Sequence, residues 1–388
     1  MRTTLEIVFW AAAILIVWTQ VGYAFVVGGL ARLLAPAPKA AVGVQIRTNP
    51  PNQRVSLIVA AHDEQAVIGA KVANALALHY PRELLQVIVA CDGCTDATAK
   101  RASDAGADLV LELPRGGKIV AQDTAVERSS GEIVAFSDAN SQWKPDALGE
   151  LVGAFADPQV GYACGQVRFV QGADGAQATN QEGVYWRYEM AQRTSESRLS
   201  SITAGNGAIY ATRRESYIVV DPIMGHDLSF PFNMVKRGWR AVYVPSARAT
   251  EKMVPSIEGE FARKRRMMSH TWPIVLRGGM LSPHGYTFGY AGMIFSHRLL
   301  RYLTPFLHAL ALLANIALVA GGTGGLYRVT LIVQVVLFAS AGLGGLVRLR
   351  PFLIARYYFL TTFSAAAGLW DWLHHGTAPS WEAAEGTR

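Results

Sequence analysis

Apolar residues are spread unevenly along this chain of 388 residues. The stretch Ile7–Ala31 carries no charged residue and is long enough to cross a hydrocarbon core of about 30 Å. It has neither the short apolar core nor the small-residue cleavage site of a secretory signal, so it reads as a retained anchor. Three further apolar runs follow: Tyr302–Ala320, Val329–Val347 and Phe352–Leu373. The last has Arg356 in its first turn, placed to snorkel, and Asp371 near its end. Gly342, Gly344 and Gly345 in the middle run suit close helix packing in lipid.

Between residues 54 and 285 the pattern changes. Short, continuous apolar strands alternate with helical periodicity. The strands "RVSLIVAAH", "LLQVIVACDG", "ADLVLEL" and "EIVAFSDAN" are separated by the helical stretches "EQAVIGAKVANALALHY", "CTDATAKRASDAG" and "GKIVAQDTAVERSS". This predicts an α/β domain with a mostly parallel sheet covered on both faces. The periodicity gives residues 1–34 as a transmembrane anchor, 35–53 as a Pro-rich linker and 54–285 as the folded domain. Residues 286–373 hold an interfacial segment and three transmembrane helices, and 374–388 form a tail. Ile257, Phe261, Met268, Trp272 and Val275 share one helical face beside the basic run Arg263–Arg266, predicting an interfacial basic helix near 257–276.

Composition sharpens this picture in two ways. Half the residues are hydrophobic and the mean hydropathy is +0.20, as a membrane protein requires. The net charge of +7 raises nucleic acid as a partner, but the cations sit where spans need them. Arg32, Lys39, Arg47 and Arg54 follow the first span; Arg298 and Arg301 precede the second; Arg348, Arg350 and Arg356 lie between the last two. The positive-inside rule therefore places the protein in the cell (inner) membrane with its folded domain in the cytosol, and the tail outside. Cys91, Cys94 and Cys164 are odd in number and cytosolic, which argues for free thiols.

In open parallel sheets ligands bind beyond the carboxyl ends of strands. Asp63 and Glu64, Asp92, and Asp138 with Asn140 stand at three such ends. Clustered oxygen ligands suit Mg2+ or Mn2+ together with substrate phosphates. No Walker loop and no G-x-G-x-x-G follows the first strand. A nucleotide is then held through a metal and the loops at Asp63, Asp92 and Lys118.

These motifs in this order resemble the family 2 glycosyltransferases, whose catalytic domain has the GT-A fold. "VSLIVAAHDEQAVIG" is similar to that family's opening strand and acidic loop. "VIVACDGCTDATA" is similar to its Asp-Gly-Ser-Thr-Asp segment, with Cys94 in the serine place. "GGKIVAQDTAVERSSGEIVAFSDAN" resembles its Gly-Lys helix and Asp-x-Asp strand, and "GHDLSFPFNMVKRGWRAVYVPSARATEK" the segment bearing its catalytic base. The resemblance implies sugar transfer with inversion from a nucleotide-sugar, usually a UDP-sugar, to a lipid-linked or growing glycan acceptor. It implies nucleoside contacts at Asp63, Glu64, Asp92 and Lys118, a divalent ion on Asp138 and Asn140, and Asp227 as general base. The loop Gly205-Asn206-Gly207, with Arg263, Arg266 and Trp272, would line the acceptor and diphosphate side.

Three positions depart from the family pattern. Asn140 replaces the second aspartate of Asp-x-Asp and brings no charge. His226 stands where an acidic residue often precedes the base; protonated, it would weaken Asp227. Met267 replaces the tryptophan with which processive members stack the acceptor. A processive synthase that exports its polymer, a catalytically inactive membrane scaffold and a nucleotidyltransferase remain alternatives. Polysaccharide or cell-envelope glycan synthesis is the expected setting, with membrane lipids and no nucleic acid as partners.

Overall fold

The computed structural model describes residues 1–35, 52–170, 180–252, 257–347 and 349–379. The expected linker, with Lys39 and Arg47, lies almost wholly outside the described residues, as does Arg348.

The domain is built on one eight-stranded sheet. Its strands are β1 (Val55–Ala61), β2 (Leu85–Asp92), β3 (Leu109–Leu113), β4 (Ile133–Asp138), β5 (Gln142–Trp143), β6 (Val160–Val170), β7 (Ile209–Arg213) and β8 (Arg240–Lys252). They lie in the order β3-β2-β1-β4-β7-β6-β8-β5. The first four run parallel, as expected of strands joined by helical crossovers. Every residue of β1 is buried, because helices cover both faces of the sheet there.

Register decides which side chains meet. Ala61 pairs with Cys91, and Ala60 pairs with Asp138, so the tips of β1, β2 and β4 end side by side. β7 then runs antiparallel to β4, with Ile209 opposite Ser137. That reversal delivers the Gly205–Ala208 turn beside the tip of β4. β5 pairs with β8 through Gln142 and Thr250, which brings Glu251 to the same place.

Among the described residues, four helices are long and apolar enough to cross a membrane: Arg2–Leu33, Phe288–Ala320, Gly325–Leu343 and Arg350–His375. The domain is fastened to the first two by a buried polar network. Glu196, on the helix Asn180–Leu199, accepts from Tyr23 Oη at 2.6 Å and faces His297 Nδ1 at 2.6 Å. Glu189, about two turns earlier on the same face of that helix, pairs with Arg298 at 3.3 Å and with Arg301. Charges this deeply placed persist only when paired, so the network fixes the domain's orientation on the spans.

The basic helix appears at Ile257–Leu276. Its apolar face meets the last helix, and this corrects the expectation for Trp272. That ring is 2% exposed, and its Nε1 donates to the Ala365 carbonyl at 2.9 Å. Gly368 permits the contact, since a Cβ there would lie 2.5 Å from Met268 Cβ. Trp272 is thus packing, not an acceptor platform. After the last helix Thr377 donates to the Ser269 carbonyl at 2.9 Å, so the chain there packs against the basic helix.

Candidate active site

The acids at the parallel edge are largely occupied in holding the protein's own loops. Asp92 is 1% exposed. Its carboxylate accepts from the amides of Gly116 at 2.6 Å and Gly117 at 3.0 Å, and from Arg115 at 2.9 Å. Gly117, at φ +94°, adopts a backbone that favours glycine and opens the helix Lys118–Arg128. Asp63, itself at φ +49°, accepts from the Thr95 amide at 2.7 Å, and that bond first of all holds its carboxyl below the usual range. Asp96 accepts from the Thr98 amide at 2.9 Å. His62, Asp63 and Cys94 bring potential ligand atoms within 4.8 Å of one another. Cys91, Cys94 and Cys164 are all free thiols.

At the seam between the parallel and antiparallel halves the chemistry differs. The Lys118 ammonium is joined to Asp138. Burial opposes the lysine's charge, but Asp138, with Asp227 and Glu251 behind it, holds Lys118 above its ordinary value. Asp227 sits in the first turn of His226–Lys236, and its backbone carbonyl accepts from Gly205 N at 2.6 Å. Burial in the wall raises its carboxyl, with Lys118 acting in the opposite direction. A raised carboxylate is a stronger proton acceptor.

Three more groups belong to this seam, and two of them, Glu251 and Lys71, were missed in the sequence. Glu251, half-buried at the end of β8, is pushed up to about 7 by burial and then by Asp138. Its Oε1 has no hydrogen-bond partner among the described residues. Lys71 is fully buried and donates to the Ser141 carbonyl at 2.8 Å; burial pushes it down to about 7, against the pull of Asp138 and Glu251. His226 faces Tyr210 Oη at 2.8 Å and stacks on Phe230 at 4.1 Å. Burial lowers its imidazole to about 3, so it is neutral and does not weaken Asp227 as its position suggested.

Signals for two of these were present. Lys71 follows Ile68 by three residues and precedes Val72 and Ala75 on the buried face of one helix, where a lysine is out of place. Glu251 shares the inward parity of Ala247 and Ala249 on β8.

A cavity of about 1200 Å³ joins these groups. Glu64, Lys118, Asp138, Asn140, Asp227 and Glu251 line it, and so do Gly205, Asn206, Gly207, Arg263 and Arg266. Asp63, Asp92 and Trp272 are not among its lining residues. Gly205 is required by the protein's own packing, because a Cβ there would run into Tyr162 Oη. Asn206 is spent on its loop, donating to the Gly165 carbonyl at 2.6 Å and accepting from Ile209 N at 2.9 Å. Arg263 reaches Glu260 through two bonds at 2.7 and 2.8 Å. The cavity continues past Gln20, Tyr188, Tyr302 and Tyr358 into the membrane helices.

A mixed sheet with acids at neighbouring strand tips, opening on a cavity, is the arrangement of the GT-A glycosyltransferase fold. Residues 50–269 match the family model described as glycosyltransferase like family 2, and the chain belongs to that family. It is similar to the N-acetylglucosaminyltransferase of Rhizobium sp. (strain N33), with 25% identity over 250 residues, 60% of this chain and 54% of that protein. It is also similar to the N-acetylglucosaminyltransferase of Rhizobium meliloti (strain 1021), with 26% identity over 216 residues, 51% of this chain and 50% of that protein. The chain spans about half the length of the curated relatives it matches. Among solved structures, the mannosyltransferase PcManGT from Pyrobaculum calidifontis, in complex with GDP-Man and Mn2+, superposes with a TM-score of 0.72 at 21% identity. That match covers 95% of this chain and 99% of the other, and it shows a shared fold.

Proposed function

We propose that this protein is a membrane-bound inverting glycosyltransferase, with Asp227 as general base, that transfers a sugar from a nucleotide-sugar to a lipid-linked or growing glycan acceptor. The observation that carries the reading is the presence, in the lining of one cavity, of the Lys118–Asp138 pair and of the raised Asp227 carboxyl that feels both. The acceptor hydroxyl oxygen forms its bond to the anomeric carbon as the bond to the diphosphate breaks. The hydroxyl proton passes to Asp227, and the nucleoside diphosphate leaves. A single displacement inverts the anomeric centre and needs no protein nucleophile.

The residues present fit a divalent ion. Asp138, the unpartnered Glu251 oxygen and Asn140 offer hard oxygen donors on one wall. Such an ion, Mg2+ or Mn2+, would supply charge neutralisation to the diphosphate. Lys118, at the start of its helix, is placed to move from Asp138 toward the phosphates, and the helix amino terminus adds to the attraction. The similar mannosyltransferase is described with GDP-Man and Mn2+, so GDP-mannose is tested beside UDP-sugars.

The domain's charge asymmetry and the apolar helices support a multi-pass protein in the cell membrane with the catalytic domain in the cytosol. A processive synthase is the second reading, favoured by the cavity's continuation among the membrane helices. A donor screen on the detergent-solubilised protein, scoring nucleoside diphosphate release, tests the first reading. Product length then separates the two: long ladders exclude single addition. Release of pyrophosphate from a nucleoside triphosphate supplied with a sugar phosphate would identify a nucleotidyltransferase, and no release with any donor would leave a scaffold.

A further inference from the structure

The loops that leave β1 and β2 bring together an imidazole, a carboxylate and a thiol. Ala61 pairs with Cys91 in the parallel ladder, so residues 62–63 and 92–94 leave the sheet side by side. Gly93, at φ +61°, turns the second loop back; a Cβ there would lie 2.8 Å from Arg115 Cβ. Cys94 Sγ thereby donates to the Ala61 carbonyl at 3.5 Å. His62, Asp63 and Cys94 each place one potential ligand atom within 4.8 Å of the other two. None of the three lines the cavity that holds Asp138.

Each of these groups is oriented from behind. His62 Nδ1 lies 2.7 Å from the Asp92 carbonyl. That oxygen can only accept, so Nδ1 carries the proton and the neutral ring keeps its lone pair on Nε2. Nε2 faces Asp63 Oδ2 at 3.6 Å. A backbone carbonyl behind the far nitrogen is the support that fixes a metal-binding imidazole. Asp63, at φ +49°, is held by the Thr95 amide at 2.7 Å and the Thr95 hydroxyl at 3.2 Å. The hydrogen bond with Cys91 lowers the Cys94 thiol to about 7. All three side chains are half-buried, which leaves a side open to water as a fourth ligand.

We propose that His62, Asp63 and Cys94 form a zinc site on the donor loops, separate from the oxygen-lined position at Asp138. A sulfur and a nitrogen among three ligands select zinc over Mg2+ or Mn2+. Tetrahedral zinc holds its ligand atoms about 3.3–3.8 Å apart, a closure within reach of side-chain rotation. As the zinc–sulfur bond forms, the Cys94 S–H bond breaks and its proton passes to solvent, with no change of oxidation state. The ion then ties the β1 loop to the β2 loop and takes the Asp63 carboxylate. Asp63 is a nucleoside contact in the reading given above, so zinc and nucleotide compete for it. That competition rests on the donor reading; the site does not.

The test uses the full chain, without an affinity tag, in detergent and kept reduced. Co2+ serves as the spectroscopic probe and Zn2+ as the competing ion. Wild type is expected to show a sulfur-to-cobalt charge-transfer absorption that one equivalent of zinc abolishes. Cys94→Ser should lose this absorption and weaken zinc binding at least about a hundredfold, whereas Cys164→Ser, which removes a buried thiol elsewhere, should keep both. No absorption in wild type, or its persistence in Cys94→Ser, overturns the site. If Cys94→Ser does not fold, His62→Phe decides: zinc affinity equal to wild type overturns the site, and its loss supports it. Zinc should then raise the Kd for UDP or GDP with Mn2+ about tenfold in wild type and leave it unchanged in Cys94→Ser. Equal effects in both proteins place the zinc at the Mn2+ position and overturn the competition, as does no effect in wild type. If wild type binds neither nucleotide, the donor reading fails while the cobalt result stands.

Discussion

The acids at the parallel edge of the sheet and those at its seam have similar positions at strand and helix ends but opposite fates. At the edge, Asp63, Asp92 and Asp96 accept from backbone amides and fix the loops of the donor side. At the seam, Asp138, Asp227 and Glu251 face a shared cavity with Lys118 among them. Asp63 and Asp96 are lowered, whereas Asp227 and Glu251 are raised. A strand-tip carboxylate whose oxygens are taken by amides is architecture. One left facing a cavity beside other charges is available for chemistry.

Substitutions can break this comparison. The largest effect is expected at Asp227: Asp227→Asn should lower kcat by about a thousandfold, with Kd for the nucleoside diphosphate within about twofold of wild type. Equal loss of both would make Asp227 a binding residue. Lys118→Met should cost about a hundredfold in kcat/KM, measured with the donor that the screen identifies.

Asp92→Ala should act on the fold first. Removing a buried carboxylate that accepts from two backbone amides and from Arg115 is expected to cost about 3 kcal/mol in unfolding free energy, read by denaturation, whereas Asp138→Asn should cost turnover with little change in melting temperature. The reverse pattern would show that the edge and the seam have been assigned the wrong way round.

The pH profile tests the seam more gently. Asp227 must be deprotonated to accept a proton, and burial raises its carboxyl. The rate should therefore fall about tenfold per pH unit on the acid side, with the limb above the ordinary aspartate value of about 4. An acid limb below that value would contradict a raised base. The smallest effect is expected at Trp272→Phe, which loses one bond to Ala365 of about 1 kcal/mol and should change kcat less than about threefold.

The parallel half was legible because each strand there is a short continuous apolar run ending on an acid. Asp138 and Lys118 followed from that reading, and Asp227 from the family's motif order. The rest of the cavity was harder, because its walls come from segments far apart in sequence that meet through the antiparallel β7 and the long β8. Glu251 stands more than a hundred residues from Asp138, and only strand parity hinted at it. Trp272 was misjudged because an amphipathic face looks the same whether it meets lipid, sugar or another helix. The contact between Thr377 and Ser269 was not legible, because it joins segments about a hundred residues apart in sequence.

The central claim is tested most directly by the structure of the full chain with UDP or GDP and Mn2+, using anomalous scattering to locate the metal. The account predicts the manganese peak against Asp138, the diphosphate beside Lys118, and Asp227 across the cavity from both. A peak between His62, Asp63 and Cys94, with nucleotide bound away from Asp138, would contradict it.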